Sequence, residues 1–314
     1  MRVMITGAAG NLGGLLARSM VKGPHELRLM IHQQALGYEL DLEKVEIVQA
    51  DLGQPATLNA VCEGVDCIVH FAGVLFQPRP ERFLARTNID YVDHLLQAAQ
   101  AARIGKFILV SFPHVEGESH PDRRAQGGLD GQPDSIHAQT RLAAERLLFQ
   151  ASHETALQPI VLRPGMIYGR GVLMIEAARR LMRWGSLPVW RKPTWIHLLA
   201  LPDFLRAVEV AIDHPSLRGV VNLGDDHPLT LQDFLDQVAR HWGFPQPLRC
   251  PSWSFYMAAT MVELFASIFG TAAPITRDFI RIGMASYTAD ISRMKQELLP
   301  ILEYPSIREG LALL

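Results

Sequence analysis

Short apolar runs alternate with amphipathic stretches through the first half of the chain. Residues 3–6, 27–31, 45–49, 67–71, 106–111 and 159–162 are brief and apolar, several of them rich in Val and Ile. Strands buried on both faces read this way, because alternation between apolar and polar positions disappears. Between them, residues 12–21, 56–62, 83–103 and 137–152 carry apolar side chains at helical spacing. Strands separated by helices of this length imply βαβ units and a parallel sheet. The expected fold class is α/β, with a doubly wound parallel sheet.

After residue 164 the pattern loosens. Residues 195–199 and 220–223 again look like short strands, with a helix over 204–213. Thr230 is placed to cap a helix over 231–242, and Gly243 to stop it. The intervening segments hold many of the Pro, Trp and Met residues. The predicted organisation is a nucleotide-binding domain of residues 1–164 plus about 195–224, and a smaller substrate lobe of 165–194 plus about 225–314. Residues 117–134 are polar and rich in Gly, Pro, Asp and Arg, and are expected to form a mobile loop. The most apolar stretch, 253–269, is interrupted by Ser254, Thr260, Glu263 and Ser267. It falls short of the roughly 20 apolar residues of a membrane span. A buried or lid helix is expected there, with a membrane-surface helix as the alternative.

Composition narrows the classes. The chain has 314 residues, 48% hydrophobic and 20% charged, which excludes a disordered or fibrous protein. Thirty Lys and Arg against 32 Asp and Glu leave a net charge of −2, which argues against nucleic-acid binding through phosphates. The three cysteines, Cys62, Cys67 and Cys250, fit neither a disulfide framework nor a metal site. They suit a reducing compartment, and with no secretory leader visible the expected location is the cytoplasm.

Chemistry first appears at the N-terminus. Thr6-Gly7-Ala8-Ala9-Gly10-Asn11-Leu12-Gly13 follows the first strand and opens the first helix. Gly7 permits a tight turn, Gly10 lets the backbone approach a pyrophosphate, and Gly13 allows close packing of helix on strand. This predicts a Rossmann-type site for NAD(P). About 20 residues on, where a ribose-reading acid is usual, stands His32. NAD and NADP both stay open. The missing carboxylate leans towards NADP, with Arg28 and His32 as nearest cations.

With these segments in order, the sequence resembles the extended short-chain dehydrogenase/reductase family, the NAD-dependent epimerase/dehydratase group. The resemblance runs from Thr6–Gly13 through Asp51-Leu52 and His70-Phe71-Ala72-Gly73, then Asn88, to Phe107–Ser111. It continues through Leu162-Arg163-Pro164-Gly165-Met166-Ile167-Tyr168-Gly169, Trp195-Ile196-His197 with Asp203, and Tyr287–Asp290 to Glu309-Gly310-Leu311. It implies that Asp51 and Leu52 meet the adenine, that Phe71, Ala72 and Gly73 line the ribose side, and that Pro164 lies near the nicotinamide. It further implies a small-molecule substrate. A homodimer is implied too, with 83–103 and 137–152 pairing through Leu95, Leu96, Ala99, Leu142, Leu147 and Leu148 in a four-helix bundle.

The family's chemistry uses Tyr-x-x-x-Lys on a helix and a Ser or Thr from a strand end. Here the matching helix reads Ser135-Ile136-His137-Ala138-Gln139-Thr140-Arg141-Leu142-Ala143-Ala144-Glu145-Arg146. His137 stands at the tyrosine position and Arg141 at the lysine position. The Ser/Thr position is Phe112, and Ser111, one residue away, faces the other side of a strand. It substitutes only if the strand end twists or bulges. His114, His120 and Asp122 flank the same region as further candidate acids. Three readings follow. His137 acts as proton donor, its usual pKa suiting acid–base work and the guanidinium beside it favouring the neutral ring, with Arg141 on the ribose; or the acceptor is electrophilic or quinone-like and needs little acid; or the dinucleotide is kept by a non-catalytic structural or regulatory subunit. The aromatic second lobe leaves a nucleotide sugar, a ketone and a quinone equally open.

Overall fold

The computed structural model describes residues 1–40, 44–73, 79–153, 155–271, 273 and 275–314. Its centre is a seven-stranded sheet. The strands are β1 (Arg2–Thr6), β2 (Glu26–Ile31), β3 (Val45–Gln49), β4 (Cys67–His70), β5 (Lys106–Val110) and β6 (Gln158–Pro164). Three short strands follow, β7 (Met166–Tyr168), β8 (Pro188–Trp190) and β9 (Trp195–Ile196), then β10 (Leu198–Ala200) and β11 (Gly219–Leu223). The sheet order is β11-β6-β5-β4-β1-β2-β3, and every pairing is parallel. The chain therefore runs outward from β1 to β3 and then returns to the other side of β1. That reversal opens a crevice at the C-terminal ends of β1 and β4, where such folds bind ligands.

Alternation along the strands builds two cores. Val3, Ile5, Ile108 and Leu162 face one side, where α1 (Asn11–Met20) sits; Met4, Phe107, Leu109 and Val161 face the other. That second side is covered by α2 (Leu58–Cys62), α3 (Tyr91–Ala101) and α4 (Ile136–Ser152). The first core continues without a break through α5 (Leu173–Arg183), α6 (Leu201–Asp213) and the later segments. These include β12 (Leu229–Thr230), α7 (Leu231–Trp242) and β13 (Leu248–Cys250). The expected cap is present: Thr230 accepts a hydrogen bond from the Asp233 amide at 3.1 Å, and Gly243 ends α7 with φ +68°.

Four expectations change. The helix foreseen over 83–103 is a π-helical turn at Arg86–Asp90 followed by α3. The wider turn brings the Asn88 amide onto Thr140 Oγ1 at 2.9 Å. The strand foreseen over 195–199 splits at His197, whose carbonyl takes the Met166 amide, so β9 and β10 pair with different partners. The polar segment 117–134 is tied down. The Ser119 and Ala125 amides donate to Ser286 and Thr288, and Glu116 takes the amides of Gln126 and Gly127. Finally, Leu95, Leu96, Ala99, Leu142 and Leu148 are buried within the chain itself, which leaves only Leu147 of the six partly exposed for a two-fold bundle.

The apolar stretch is helix α8 (Ser252–Phe269), but it is not buried: Ala259 and Ala266 alone are enclosed. It packs against α9 (Arg277–Met284). No described helix is long and apolar enough to cross a membrane.

Candidate dinucleotide site and catalytic corner

The dinucleotide cradle is made mostly of backbone. Gly7 leaves β1 with φ +73°, a left-handed conformation that favours glycine. A methyl group there would lie 2.9 Å from the Ala72 amide, so the loops after β1 and β4 touch. Gly10 is extended, donates to the Gly7 carbonyl at 2.8 Å, and caps α1 without any side-chain bond. The first amides of α1 thus point outward at the crevice, as an anion requires. A Cβ on Gly13 would come 2.5 Å from the Gly7 carbonyl oxygen. Ala9 and Leu12 are half-buried beside the turn. Asn11 ties it to α5: its amide donates to the Gly171 carbonyl at 2.6 Å and accepts from the Leu173 amide at 3.0 Å.

At the adenosine end, His32 is exposed just beyond β2, and its Nε2 stands 3.6 Å from an Asp51 carboxylate oxygen. Asp51 also accepts from the Gly53 amide and the Gln54 side chain. Asp51, which the resemblance assigns to the adenine, thus stands beside His32, delivered from the turn after β3. Arg28 does not face the ribose. It is buried on the sheet, paired with Glu46 at 2.8 Å and bound to the Val61 and Glu63 carbonyls. Of the two nearby cations, Arg28 is thereby unavailable to a 2′-phosphate, while His32 stays exposed. Leu52 is half-buried, and its carbonyl accepts from His94 Nδ1. Phe71 meets Phe204 edge-on at 6.2 Å, and Pro164 closes β6 at the same edge of the sheet.

Helix α4 builds the catalytic corner. Ser135 caps it by accepting the Ala138 amide, and the Asp278 carboxylate takes the amides of Ile136 and His137 at 3.0 and 3.3 Å. One turn on, Arg141 is buried. A methyl group on Gly73 would come 2.7 Å from its Nη2, and its Nη1 finds no partner among the described residues. Burial lowers its pKa to about 10, against the pull of Glu145. A buried guanidinium edge directed at the ribose-side loop is the structural fit for ribose hydroxyls, and it agrees with the glycine cradle beside it.

His137 is half-buried, its ring edge-on to Phe112 with centroids 5.1 Å apart. Phe112 in turn stacks on His114 at 5.0 Å, and His114 on Tyr287 at 5.4 Å. Burial, then the Arg141 and His114 charges, pull His137 down to about 3. The direction agrees with the expectation that a guanidinium beside the ring favours its uncharged form, and burial adds to it. The ring is a hydrogen-bond donor or acceptor, not an imidazolium. His114 is likewise held neutral, at about 4, by burial.

Ser111 is drawn elsewhere. Its hydroxyl donates to Glu145, which is fully buried and clamped by Arg163 Nε at 3.1 and 3.2 Å. Arg163 also reaches Glu116 at 2.6 Å and the Gly128 carbonyl. Ser111 thus belongs to a buried ionic network beneath α4 and does not take the place of Phe112, which meets the same helix at His137. His120 and Asp122 sit on the anchored loop, with His120 3.8 Å from Glu118.

Two residues had no role in the sequence reading. His70, fully buried at the end of β4, binds Thr6 Oγ1 through Nδ1 at 2.8 Å, and burial and Arg141 hold it near 3. Its place at the head of the His70-Phe71-Ala72-Gly73 motif and at the end of an apolar strand was its signal, but no role was assigned to it. Tyr38 donates to the Ala8 carbonyl at 2.9 Å and stacks under Arg18, bracing the glycine loop from an irregular segment that carries no motif.

A family model described as the NAD dependent epimerase/dehydratase family matches residues 3–224. A uronate dehydrogenase of Pseudomonas syringae pv. tomato is 26% identical over 223 residues, 71% of this chain and 74% of its own length. A ceramide reductase of Caulobacter vibrioides is 28% identical over 274 residues, covering 86% and 80%. The solved UDP-glucuronic acid 4-epimerase from Bacillus cereus, in complex with NAD, superposes with a TM-score of 0.76 at 18% identity, covering 100% of this chain and 97% of that one. That last likeness speaks for the fold, while the family match spans well over half the chain and takes in the glycine turn, the ribose-side loop and α4. The chain belongs to the NAD dependent epimerase/dehydratase family.

Proposed function

We propose that the protein is an NAD(P)-dependent oxidoreductase acting by hydride transfer on a carbonyl-type substrate: a nucleotide sugar, a ketone or a quinone-like acceptor. The observation that carries this reading is the buried Arg141 edge, unpartnered among the described residues, facing the loop that follows β4. A structural subunit has no need to keep a desolvated guanidinium unsatisfied, because such a group costs about 1–3 kcal/mol or more. Relatives of this chain include a uronate dehydrogenase and a ceramide reductase, so sugar and lipid carbonyls are both within reach of the family scaffold.

Bound in the crevice, the dinucleotide supplies or accepts the hydride. The chain's own residues do the rest. Gly7, Gly10 and the first turn of α1 hold the pyrophosphate. Arg141 holds the ribose, and Phe71, Ala72 and Gly73 line its side. Asp51 and Leu52 meet the adenine, with the exposed His32 beside Asp51. His137 offers a neutral hydrogen bond to the substrate oxygen while Phe112 keeps water away. A neutral donor stabilises developing charge without delivering a full proton, which suits an electrophilic acceptor better than a simple ketone. A homodimer through α3 and α4, in the cytoplasm, completes the proposal. Its contact face would be made by Gln97, Gln139, Arg146 and Leu147, which point outward.

The test offers the protein NADH or NADPH with quinones, ketones and nucleotide sugars in turn, following loss of the nicotinamide absorbance. Turnover with at least one class, fastest with the most electrophilic, supports the reading. Tight dinucleotide binding without turnover on any class overturns it and leaves a cofactor-sensing subunit.

A further inference from the structure

Helix α8 is built inside out. Trp253, Met257, Met261, Leu264, Phe265 and Ile268 recur at helical spacing, and each is between 57% and 69% exposed. Its one acid, Glu263, is turned inward, where it takes the Arg277 amide and side chain at 2.7 Å. A surface helix of a soluble domain ordinarily does the reverse. Of the sixteen large apolar side chains left exposed among the described residues, seven belong to α8 alone. Apolar exposure concentrated in this way marks an interaction surface.

Charge says what covers it. Segments 165–194 and 231–284 carry ten Arg and Lys against five Asp and Glu, in a chain whose totals are 30 against 32. Arg191 and Lys192 are exposed at the start of α8, where the Arg191 amide donates to the Cys250 carbonyl at 3.0 Å. Arg281 is exposed on α9, which packs along α8. Trp184, 79% exposed, follows directly after Arg183 at the end of α5. A second copy of this face would bring like charges together across a two-fold axis. Aromatic and aliphatic side chains framed by arginines instead match the headgroup region of a negatively charged bilayer.

We propose that α8, with the basic residues around it, docks this protein peripherally on an anionic phospholipid surface, the helix lying in the plane of the headgroups. Eighteen residues give a contact about 27 Å long. Apolar burial supplies the adhesion, and the arginines supply the preference for negative lipid. The proposal does not depend on which substrate the site takes.

The experiment is co-sedimentation of the full chain with vesicles of phosphatidylcholine, alone or containing phosphatidylglycerol. Binding to the anionic vesicles is expected at least about tenfold above the neutral ones, falling as salt is raised. The double variant Met261→Glu/Phe265→Glu should lose binding at least about tenfold, and Arg191→Glu/Lys192→Glu should erase the preference for phosphatidylglycerol. Unchanged dinucleotide binding and circular dichroism in both variants show that the fold is intact, since all four side chains are exposed. The proposal is overturned if the folded protein binds neither vesicle. It is equally overturned if light scattering shows self-association that Met261→Glu/Phe265→Glu abolishes while vesicle binding is absent.

Discussion

The glycine cradle and the catalytic corner lie side by side at the sheet's C-terminal edge, yet they keep the family's chemistry to different degrees. The cradle is a matter of backbone: φ +73° at Gly7, an extended Gly10, and no room for a Cβ at Gly13. The corner is a matter of side chains, and there Phe112, His137 and Arg141 stand at the positions where the resemblance expects Ser, Tyr and Lys. Backbone geometry tolerates many neighbours, while a proton relay needs particular atoms in register. The same scaffold can therefore retain a dinucleotide and change what is done with it.

The largest effect expected of a single substitution falls beneath the corner. Arg163→Met strands the buried Glu145 carboxylate and should destabilise the fold by about 3–5 kcal/mol, read by denaturant melts. A loss below about 1 kcal/mol would mean that the Glu145 network does not hold α4. Gly10→Asp tests the cradle directly. A carboxylate in the pyrophosphate position should weaken NAD(P) binding at least about 100-fold, or about 2.7 kcal/mol, with the melting temperature nearly unchanged. Equal affinity in that variant would remove the cofactor assignment. Arg141→Ala, where the two regions meet, should weaken the dinucleotide about tenfold or more, the worth of a charged hydrogen bond. Arg141→Lys should recover part of it, because a point charge reaches differently from a planar fork.

Acid should destabilise the corner through its buried imidazoles. His70 and His137 are held near 3, and His114 near 4, chiefly by burial. His197, further along the sheet edge, is held at about 4 by the same enclosure, eased by its bond to the Asp225 carbonyl. Each is neutral when folded but gains a proton near 6.5 when unfolded, so the unfolded state binds more protons between those limits. Stability should therefore rise with pH from about 4 to about 6.5. Asp225 has the opposite sign. Burial raises it to about 8, so its contribution is present at low pH and is lost as pH climbs towards 8. The melting temperature should peak near pH 6–7 and fall by about 5 °C by pH 5. A flat profile over that range would contradict the buried neutral imidazoles.

The smallest effect is the sharpest for mechanism. With a neutral ring, His137→Ala should lower turnover about tenfold or less, the worth of one ordinary hydrogen bond, and the rate should not titrate with a histidine between about pH 5 and 8. A loss of about 100-fold or more, with a pKa in that window, would make His137 a true general acid.

How far these features were legible differs by residue. The strands and the glycine turn could be read along the chain, because each depends on local spacing, and the resemblance supplied the register in which His137, Arg141 and Phe112 fall where Tyr, Lys and Ser are expected. Thr230 and Gly243 bound α7 as local capping rules require. Other features could not. Arg28 was a cation near the ribose on paper, and only the sheet shows it turned onto Glu46, Val61 and Glu63. The resemblance assigned Leu95, Leu96, Ala99 and Leu148 to a two-fold bundle, but the second core of the same chain takes them in.

By itself, then, the sequence determined the alternating parallel-sheet pattern, the backbone cradle and, through the resemblance, the register in which Phe112, His137 and Arg141 fall where Ser, Tyr and Lys are expected. These rest on periodicity, on glycine's freedom from a Cβ, and on counting. Tertiary structure alone decided that burial keeps His137 uncharged, that Ser111 serves Glu145, that Asp51 stands beside His32, and that α8 shows its apolar side to solvent. The reason is physical: desolvation, ion pairing and exposure are set by neighbours distant in sequence, and no local pattern encodes which neighbours those are.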